Sequence, residues 1–396
     1  MCCKRDILVL SGVRTAIGAF GGSLKDLAPS ELGGRIVAEA IRRSGVDPAA
    51  IQQGFVGNIL QTEPRDAYLS RYCCLKGGMS HASVAMGVNR LCGSGLQAVV
   101  SAAQQIELSE AEFTLGGGVE SMTRAGHLVP GARWGARMGD LRMLDMLMGT
   151  LNDPFSSAHI GMTAETLAAK WGITREEQDA LALESHRRAA QAIAEGRFRD
   201  QILPIEQSTR KGTVVFDQDE HVRKDVTLAS LAALRPAFLA EGGTVTPGNA
   251  SGINDGAAAL VLAEAKAAAR AGATPLARVA GWGLGGVDPA LMGEGPIPAV
   301  KAALAFAGLK LSDIDVIESN EAFAAQSLAV SRGLDLDPAR TNINGGAIAL
   351  GHPIGATGAI LAVKAIHELN RTRGRYALAT LCIGGGQGIA AIFERV

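Results

Sequence analysis

The sequence predicts a layered α/β fold made of two similar halves, and three observations carry that prediction. A strand, a glycine turn, a helix and a glycine-rich strand follow one another twice within the 396 residues. Strongly apolar strands alternate with helices, the pattern of predominantly buried sheets covered by helices. The reactive side chains in the glycine-rich runs are divided between the two copies, so neither half holds a complete set.

The opening MCCKRDILVLSG has an apolar run too short for a signal peptide or a membrane span and reads as a first strand. In the first copy, DPAAIQQGFVGN (47–58) is a strand reaching Asn58, NRLCGSGLQAVVSAAQQIEL is a glycine turn running into a helix, and EFTLGGGVESM is a strand ending in three glycines. In the second copy, LSDIDVIESNEAF reaches Asn320, GHPIGATGAILAVKAIHEL is turn plus helix, and RYALATLCIGGGQG is strand plus three glycines. Cys92 and His352 then hold one position in the two copies, each three residues before a glycine (Gly95, Gly355). Apolar residues match beyond them: Val99 with Ala359, Val100 with Ile360, Ile106 with Ile366. Two such halves pack about a pseudo-twofold axis that sets equivalent loops face to face.

Between the halves, over roughly residues 120–250, the repeat disappears, which reads as an insertion. It holds Met122, Met138, Met143, Met146, Met148 and Met162, expected either to pack between helices or to line an adaptable pocket. A helix is expected from Thr174, which forms a capping box with Glu177, through to the glycine of IAEG. Insertions on a duplicated scaffold commonly carry substrate contacts while the scaffold holds the chemistry.

The bulk numbers bound the function. With 47% hydrophobic and 19% charged residues, the chain can bury a large core and is expected to be a soluble protein of two or three domains. A net charge of −1 gives no general field for nucleic acid or an anionic membrane, so an anionic ligand must be caught by a few placed arginines. No targeting segment is recognised, and a cytoplasmic location is expected. Cys2–Cys3 and Cys73–Cys74 are adjacent pairs, ill suited to disulfides or to the CxxC turn that grips zinc. They read as small packing or surface residues in a reduced compartment, and no metal is expected.

The chemistry rests on Cys92, His352 and Cys382. Glycine around a reactive side chain lets a substrate approach closely and leaves main-chain N–H groups free to bind developing negative charge. Cys92 stands at the mouth of a predicted helix, whose free N–H groups and dipole are expected to lower its pKa and make it the nucleophile. Gly345, Gly346, Gly351, Gly355 and Gly358 leave the His352 imidazole on a loop rather than in a packed helix face. Cys382 ends the apolar strand ALATLCI, where an inert thiol is ordinary, but Gly384-Gly385-Gly386 follows and points to proton exchange with a substrate carbon. Asn320 in ESNEAFAAQ is expected either to orient a water or carbonyl, or to cap the next helix.

Over essentially its whole length the chain resembles the thiolase family. The resemblance is carried by SGVRTAIGAFGGSLKD, NRLCGSGLQA, GGGVESM, TVTPGNASGINDGAAA, ESNEAFAAQ, GGAIALGHPIGATG and CIGGGQG. It is most similar to bacterial β-ketothiolases acting on short-chain 3-ketoacyl-CoAs, including the broad-range enzymes of polyhydroxyalkanoate producers. The resemblance implies two βαβαβαββ halves in an αβαβα sandwich: 1–120 plus 250–272, an inserted loop domain 121–249, and 273–396. It implies acyl transfer between acetyl-CoA, acyl-CoA, 3-ketoacyl-CoA and free CoA, with CoA a substrate rather than a cofactor, and a homotetramer built as a dimer of dimers.

By position, the resemblance makes Cys92 the acylated nucleophile, His352 its activator and Cys382 the acid–base at the acetyl α-carbon. Asn320, through a water, and His352 form one oxyanion hole; the N–H groups of Cys92 and Gly384 form the other. Arg223 lies near the adenosine phosphates, Ser230, Leu231 and Phe238 border the nucleotide or pantetheine arm, and Ser251 and Gly252 contact the pantetheine. His159, Ile160, Met292, Ala322 and Phe323 surround the acyl group. For Arg223 a solvated charge beside Lys224 is the competing reading. Biosynthetic members typically show His-Met at His159-Ile160, which bears on acyl-chain preference and not on the reaction class. Ketoacyl-carrier-protein synthases also use a cysteine in a duplicated fold but lack the Cys382 motif, and a degenerate acyl-CoA-binding protein characteristically loses a reactive residue.

Overall fold

The computed structural model describes residues 5–135, 137–209 and 212–396, so Cys2 and Cys3 lie outside the described residues. Leaving unlabelled the two-residue strands and the insertion's antiparallel pair Ile205–Thr209 and Gly212–Phe216, the first half runs β1 (Ile7–Thr15), α1 (Pro29–Ser44), β2 (Gln53–Gly57), α2 (Leu69–Lys76), β3 (Val84–Val88), α3 (Ser94–Glu107), β4 (Phe113–Ser121) and, after the insertion, β5 (Asn254–Glu264). The insertion carries α4 (Met146–Leu151), α5 (Gly161–Trp171), α6 (Arg175–Ala194) and α7 (Leu228–Ala232). After α8 (Ala265–Arg270) the second half runs β6 (Ala277–Gly286), α9 (Pro296–Ala307), β7 (Val316–Ser319), α10 (Ala324–Leu334), α11 (Ala347–Leu350), α12 (Ile354–Thr372), β8 (Tyr376–Ile383) and β9 (Gln387–Glu394).

The strands form two equivalent sets, β3-β2-β4-β5-β1 and β7-β8-β9-β6, joined where β1 meets β6 through Leu8↔Arg278 and Val9↔Ala277. The partner that β3 gives β2 is reduced in the second half to a single parallel bridge, Ile317↔Thr341. Helices α1 and α2 cover the first set, α9 covers the second, and α3 and α12 pack together between them. Val99, Val100, Ile106, Ala359, Ile360 and Ile366, matched in the repeat, are all at most 2% exposed in that central layer. Burying each branched side chain there stabilises the fold by about 1.5–3 kcal/mol.

The repeat is real, but its glycines do not match as the sequence suggests. Strand register pairs Gly57 with Gly118 and Ser319 with Thr380. Asn58 and Asn320 are therefore equivalent, and the counterpart of Cys382 is Glu120. Gly116-Gly117-Gly118 lies within β4, where side chains would meet the backbone of α3, β5 and α12. Gly384-Gly385-Gly386 instead lies between β8 and β9, and two of its members have positive φ, 77° at Gly385 and 83° at Gly386. Two of these three glycines thus serve the hairpin turn.

Helix α6 begins as expected: Thr174 Oγ1 accepts from Glu177 N at 3.2 Å and Glu177 Oε2 accepts from Thr174 N at 2.8 Å. The methionines do not behave as a group. Met122 is buried, whereas Met138 and Met143, outside any helix, and Met146 and Met148, in the short helix α4, are exposed. Cys73 and Cys74 pack as small core residues, their sulfurs filling the space left by Gly33 and Gly54.

The insertion is bolted to the scaffold by Arg14, which is fully buried. Its guanidinium holds Asp219 through two bonds, at 2.7 and 3.0 Å, and Gln201 Oε1 at 2.7 Å. Breaking such a pair leaves an unpaired buried charge and costs about 3–5 kcal/mol. Among the described residues, no helix is long and apolar enough to cross a membrane.

Candidate active site

A cavity of about 240 Å³ opens where the two halves and the insertion meet. It brings together Cys92, His352, Cys382 and Gly384 with His159, Ile160, Phe238, Ser251, Gly252, Met292, Ala322 and Phe323. Residues separated by almost three hundred positions meet because α3 and α12 touch through glycine. A side chain on Gly95 would stand 3.0 Å from the Gly355 carbonyl oxygen and 2.8 Å from Ala359 N. Cys92 and His352, each three residues upstream, are carried to the same end of the crossing.

His352 is held on both sides. Its backbone N–H donates to Asn254 Oδ1 at 2.9 Å, which fixes the loop as it enters α12. Its Nδ1 lies 2.7 Å from Thr357 Oγ1. Because that hydroxyl donates to Pro353 O at 2.9 Å, it accepts from His352, so the ring proton sits on Nδ1. Nε2 is left with its lone pair, 3.5 Å from Asn320 Nδ2. Burial pushes the imidazole down to about 4, so it is neutral and able to take a proton.

Cys92 departs from its expected electrostatics. Burial pushes its thiol up to about 11, against the smaller opposing effects of the Gly384 and Cys92 N–H groups. Desolvation of an anion outweighs the helix-terminal effect, so the free site holds a thiol beside a neutral imidazole. Cys382 is 1% exposed, and its pKa is raised chiefly by burial and then by Cys92. Lacking the Gly384 N–H, it is the harder thiol to ionise and the stronger base once ionised.

Asn320 does not cap the following helix, which starts after Phe323 with no side-chain cap. Its Oδ1 is buried without a partner, a free acceptor beside His352. The neighbouring Glu321 braces the same loop system, accepting from Ser185 Oγ at 2.7 Å and Asn342 Nδ2 at 2.9 Å.

The outer wall comes from the insertion. The His159 and Phe238 rings stack at 4.6 Å, with Phe323 edge-on to Phe238 at 6.3 Å. Gly161 N donates to His159 Nδ1 at 3.0 Å, and the Phe238 ring occupies the space any larger residue at 161 would need. Ser251 N donates to Ala322 O at 3.0 Å, tying the 250–252 loop to the Asn320 segment. Arg223, Ser230 and Leu231 do not line this cavity. They border a separate open basin of about 610 Å³, and the segment from Thr246 to Gly252 runs between the two, with Gly248 packed on Leu231 and Leu234. Arg223 is oriented through its backbone, whose N–H donates to His186 Nδ1 at 3.1 Å.

Met122, for which a pocket-lining place was one of two expectations, also lines the cavity; so do Leu151, Ile253 and Ile354, and Asn254 and Thr357 orient His352, none of which sequence reasoning named in a site role. Asn254 and Thr357 fall inside the glycine-rich motifs, so the motifs contained the signal without revealing which way the side chains turn.

Comparison with known proteins gives one answer. The thiolase N-terminal domain matches residues 7–266 and the thiolase C-terminal domain residues 273–395. The chain is 59% identical to a beta-ketothiolase of Cupriavidus necator, covering 99% of this chain and all of that one. It is 49% identical to an acetyl-CoA acetyltransferase of Escherichia coli, again over 99% of this chain and 100% of the relative. The crystal structure of human mitochondrial 3-ketoacyl-CoA thiolase superposes with a TM-score of 0.97 at 44% identity, covering 99% of each chain. A structure of that human enzyme in complex with CoA gives 0.96 at 44% identity.

Proposed function

The chain belongs to the thiolase family and is an acyl-CoA:acetyl-CoA C-acyltransferase, and we propose that Cys92 carries the acyl group while His352 and Cys382 move the protons. The observation that carries this reading is the Nδ1-protonated His352, which keeps a lone pair on Nε2 and lines the cavity together with Cys92 and Cys382. His352 takes the Cys92 proton, and the sulfur attacks the acyl-CoA thioester. The leaving CoA thiolate takes its proton from Cys382, which leaves Cys382 as thiolate beside an imidazolium. After CoA departs and acetyl-CoA enters, the Cys382 thiolate removes an α-proton. The resulting enolate, stabilised by the imidazolium, attacks the acyl-Cys92 carbonyl and expels the Cys92 thiolate, which recovers its proton from His352. Each atom and charge returns to its starting place, and the reverse sequence is thiolysis. The covalent intermediate implies ping-pong kinetics.

Two oxyanion holes fit this path. The Cys92 and Gly384 N–H groups face the sulfur and take the acyl-enzyme oxygen. His352 and a water accepted by Asn320 Oδ1 take the enolate oxygen, each good donor being worth about 3–4 kcal/mol. CoA enters as substrate, with Arg223 at its phosphates, Ser230, Leu231 and Phe238 along the nucleotide or pantetheine arm and Ser251 and Gly252 at the pantetheine; no cofactor or metal takes part. Short to medium acyl chains fit the modest cavity between His159-Ile160 and Met292. The exposed apolar stretch of Trp134, Met138, Leu141 and Met143 supports association between copies of the chain, which we take to be a dimer of dimers in the cytoplasm.

Mass spectrometry of the intact protein after incubation with acetyl-CoA tests the reading. One acetyl group on the wild-type chain and none on Cys92→Ser is expected; equal acetylation of the two would refute it.

A further inference from the structure

Glu120 is fully buried at the end of β4, in the position of the first half that corresponds to Cys382 in the second. The duplicated site therefore has three matched pairs: Cys92 with His352, Asn58 with Asn320, and Glu120 with Cys382. Two of the three first-half members have no assigned part in the reaction, and one of those is an acid.

Its carboxylate is saturated by donors. Oε1 accepts from Asn58 Nδ2 at 3.0 Å and Leu60 N at 3.2 Å, and Oε2 accepts from Ile59 N at 3.2 Å and Gly355 N at 2.9 Å. Three of these bonds stay within the first half. The fourth crosses to the second residue of α12, three positions after His352, where an N–H of the helix's first turn has no intrahelical acceptor. Gly355 lacks a side chain because the Glu120 carboxylate occupies that space. From these contacts we infer that Glu120 is a positioning residue: its carboxyl group clamps the first turn of α12 to the loop after β2 and so sets His352 against Cys92.

The charge has a separate consequence. Burial, with Asp255 the neighbouring acid, pushes Glu120 up to about 8 against the lowering by its N–H donors, so it is an anion over the alkaline range in which Cys92 ionises. An anion here disfavours the Cys92 thiolate. Removing the charge while keeping the shape must therefore lower the pH at which Cys92 ionises. A side chain that served packing alone would leave that pH in place.

The inference rests on the proposed roles of Cys92 and His352, and the test separates the two. Purified Glu120→Gln and Glu120→Asp are compared with wild type in steady-state thiolysis of acetoacetyl-CoA and in the pH dependence of Cys92 alkylation by iodoacetamide, with the labelled residue identified by peptide mapping. Glu120→Gln should lose about 10²-fold in kcat, with KM for CoA unchanged, and should alkylate with a lower pH midpoint. Glu120→Asp should lose kcat while keeping the wild-type midpoint, since it moves the charge without removing it. Wild-type kcat in Glu120→Gln, or a loss of kcat with its midpoint unmoved, overturns the inference. Should Glu120→Gln fail to fold, wild-type kcat in Glu120→Asp overturns it equally, as does a loss carried by KM for CoA, whereas a loss confined to kcat at wild-type melting temperature supports it. If the wild-type enzyme is not alkylated at Cys92, the proposed function fails and not the placement of Glu120.

Discussion

Gly95 and Gly355 lie backbone to backbone, close enough that a Cβ on Gly95 would stand 3.0 Å from the Gly355 carbonyl oxygen. They hold the same place in the two halves, and their contact is the point about which the site is symmetric. Gly95→Ala should destabilise the fold by about 1–3 kcal/mol, because the helices must separate to admit a methyl group. Activity should fall further than the folded fraction does, since separation pulls Cys92 from His352. Thermal melting and kcat measured on the same sample check this; a melt and a kcat both like wild type would contradict the contact.

Cys382→Ser should acylate from acetyl-CoA and stop there. The serine hydroxyl is too weak an acid to supply the proton that leaves a useful base behind, so no carbon–carbon bond forms. Acetylated enzyme seen by mass spectrometry, together with absent acetoacetyl-CoA, is the expected pair of results. Normal condensation would move the proton-transfer role to another group.

In the free enzyme Cys92 is a thiol pushed up to about 11 by burial. Its alkylation by iodoacetamide should therefore climb steadily through pH 7 to 10 and show no plateau near pH 6. A plateau at low pH would mean a resting thiolate–imidazolium pair. Acyl transfer at neutral pH would then owe less to His352 as base than the structure indicates.

His186 gives the fold an acid-sensitive point near the proposed CoA basin. It is buried, accepts the Arg223 N–H on Nδ1, and is pushed down to about 4 by burial first and then by His221 and Arg223. Its pKa is lower folded than unfolded, so the unfolded chain binds the proton more readily. Stability is then full above about pH 6.5 and is lost as pH falls toward 4. His352 titrates over the same window, in the same direction. The melting temperature should drop between pH 7 and 4.5, and the drop should be smaller in His186→Gln, which keeps an acceptor without the titration. An equal drop in both would place the acid sensitivity elsewhere.

Sequence alone determined the duplicated architecture, the facing of Cys92 and His352, and the reaction family. The first two follow from periodic burial and glycine placement, which are local properties written along the chain, and the reaction family from a resemblance carried by whole motifs. The sequence alone misread the first triple glycine as a strand end, since matching letters aligned a mid-strand run with a hairpin turn, and that hid the correspondence of Glu120 with Cys382. Strand register corrected the match, because hydrogen-bonded neighbours are fixed by the other strand and not by the residue itself. The sequence also placed Cys92 as a readily ionised thiol. Only the tertiary structure could decide that point, because a thiol's pKa depends on how much water the surrounding chain removes, and at Cys92 that loss outweighs the two N–H groups facing the sulfur.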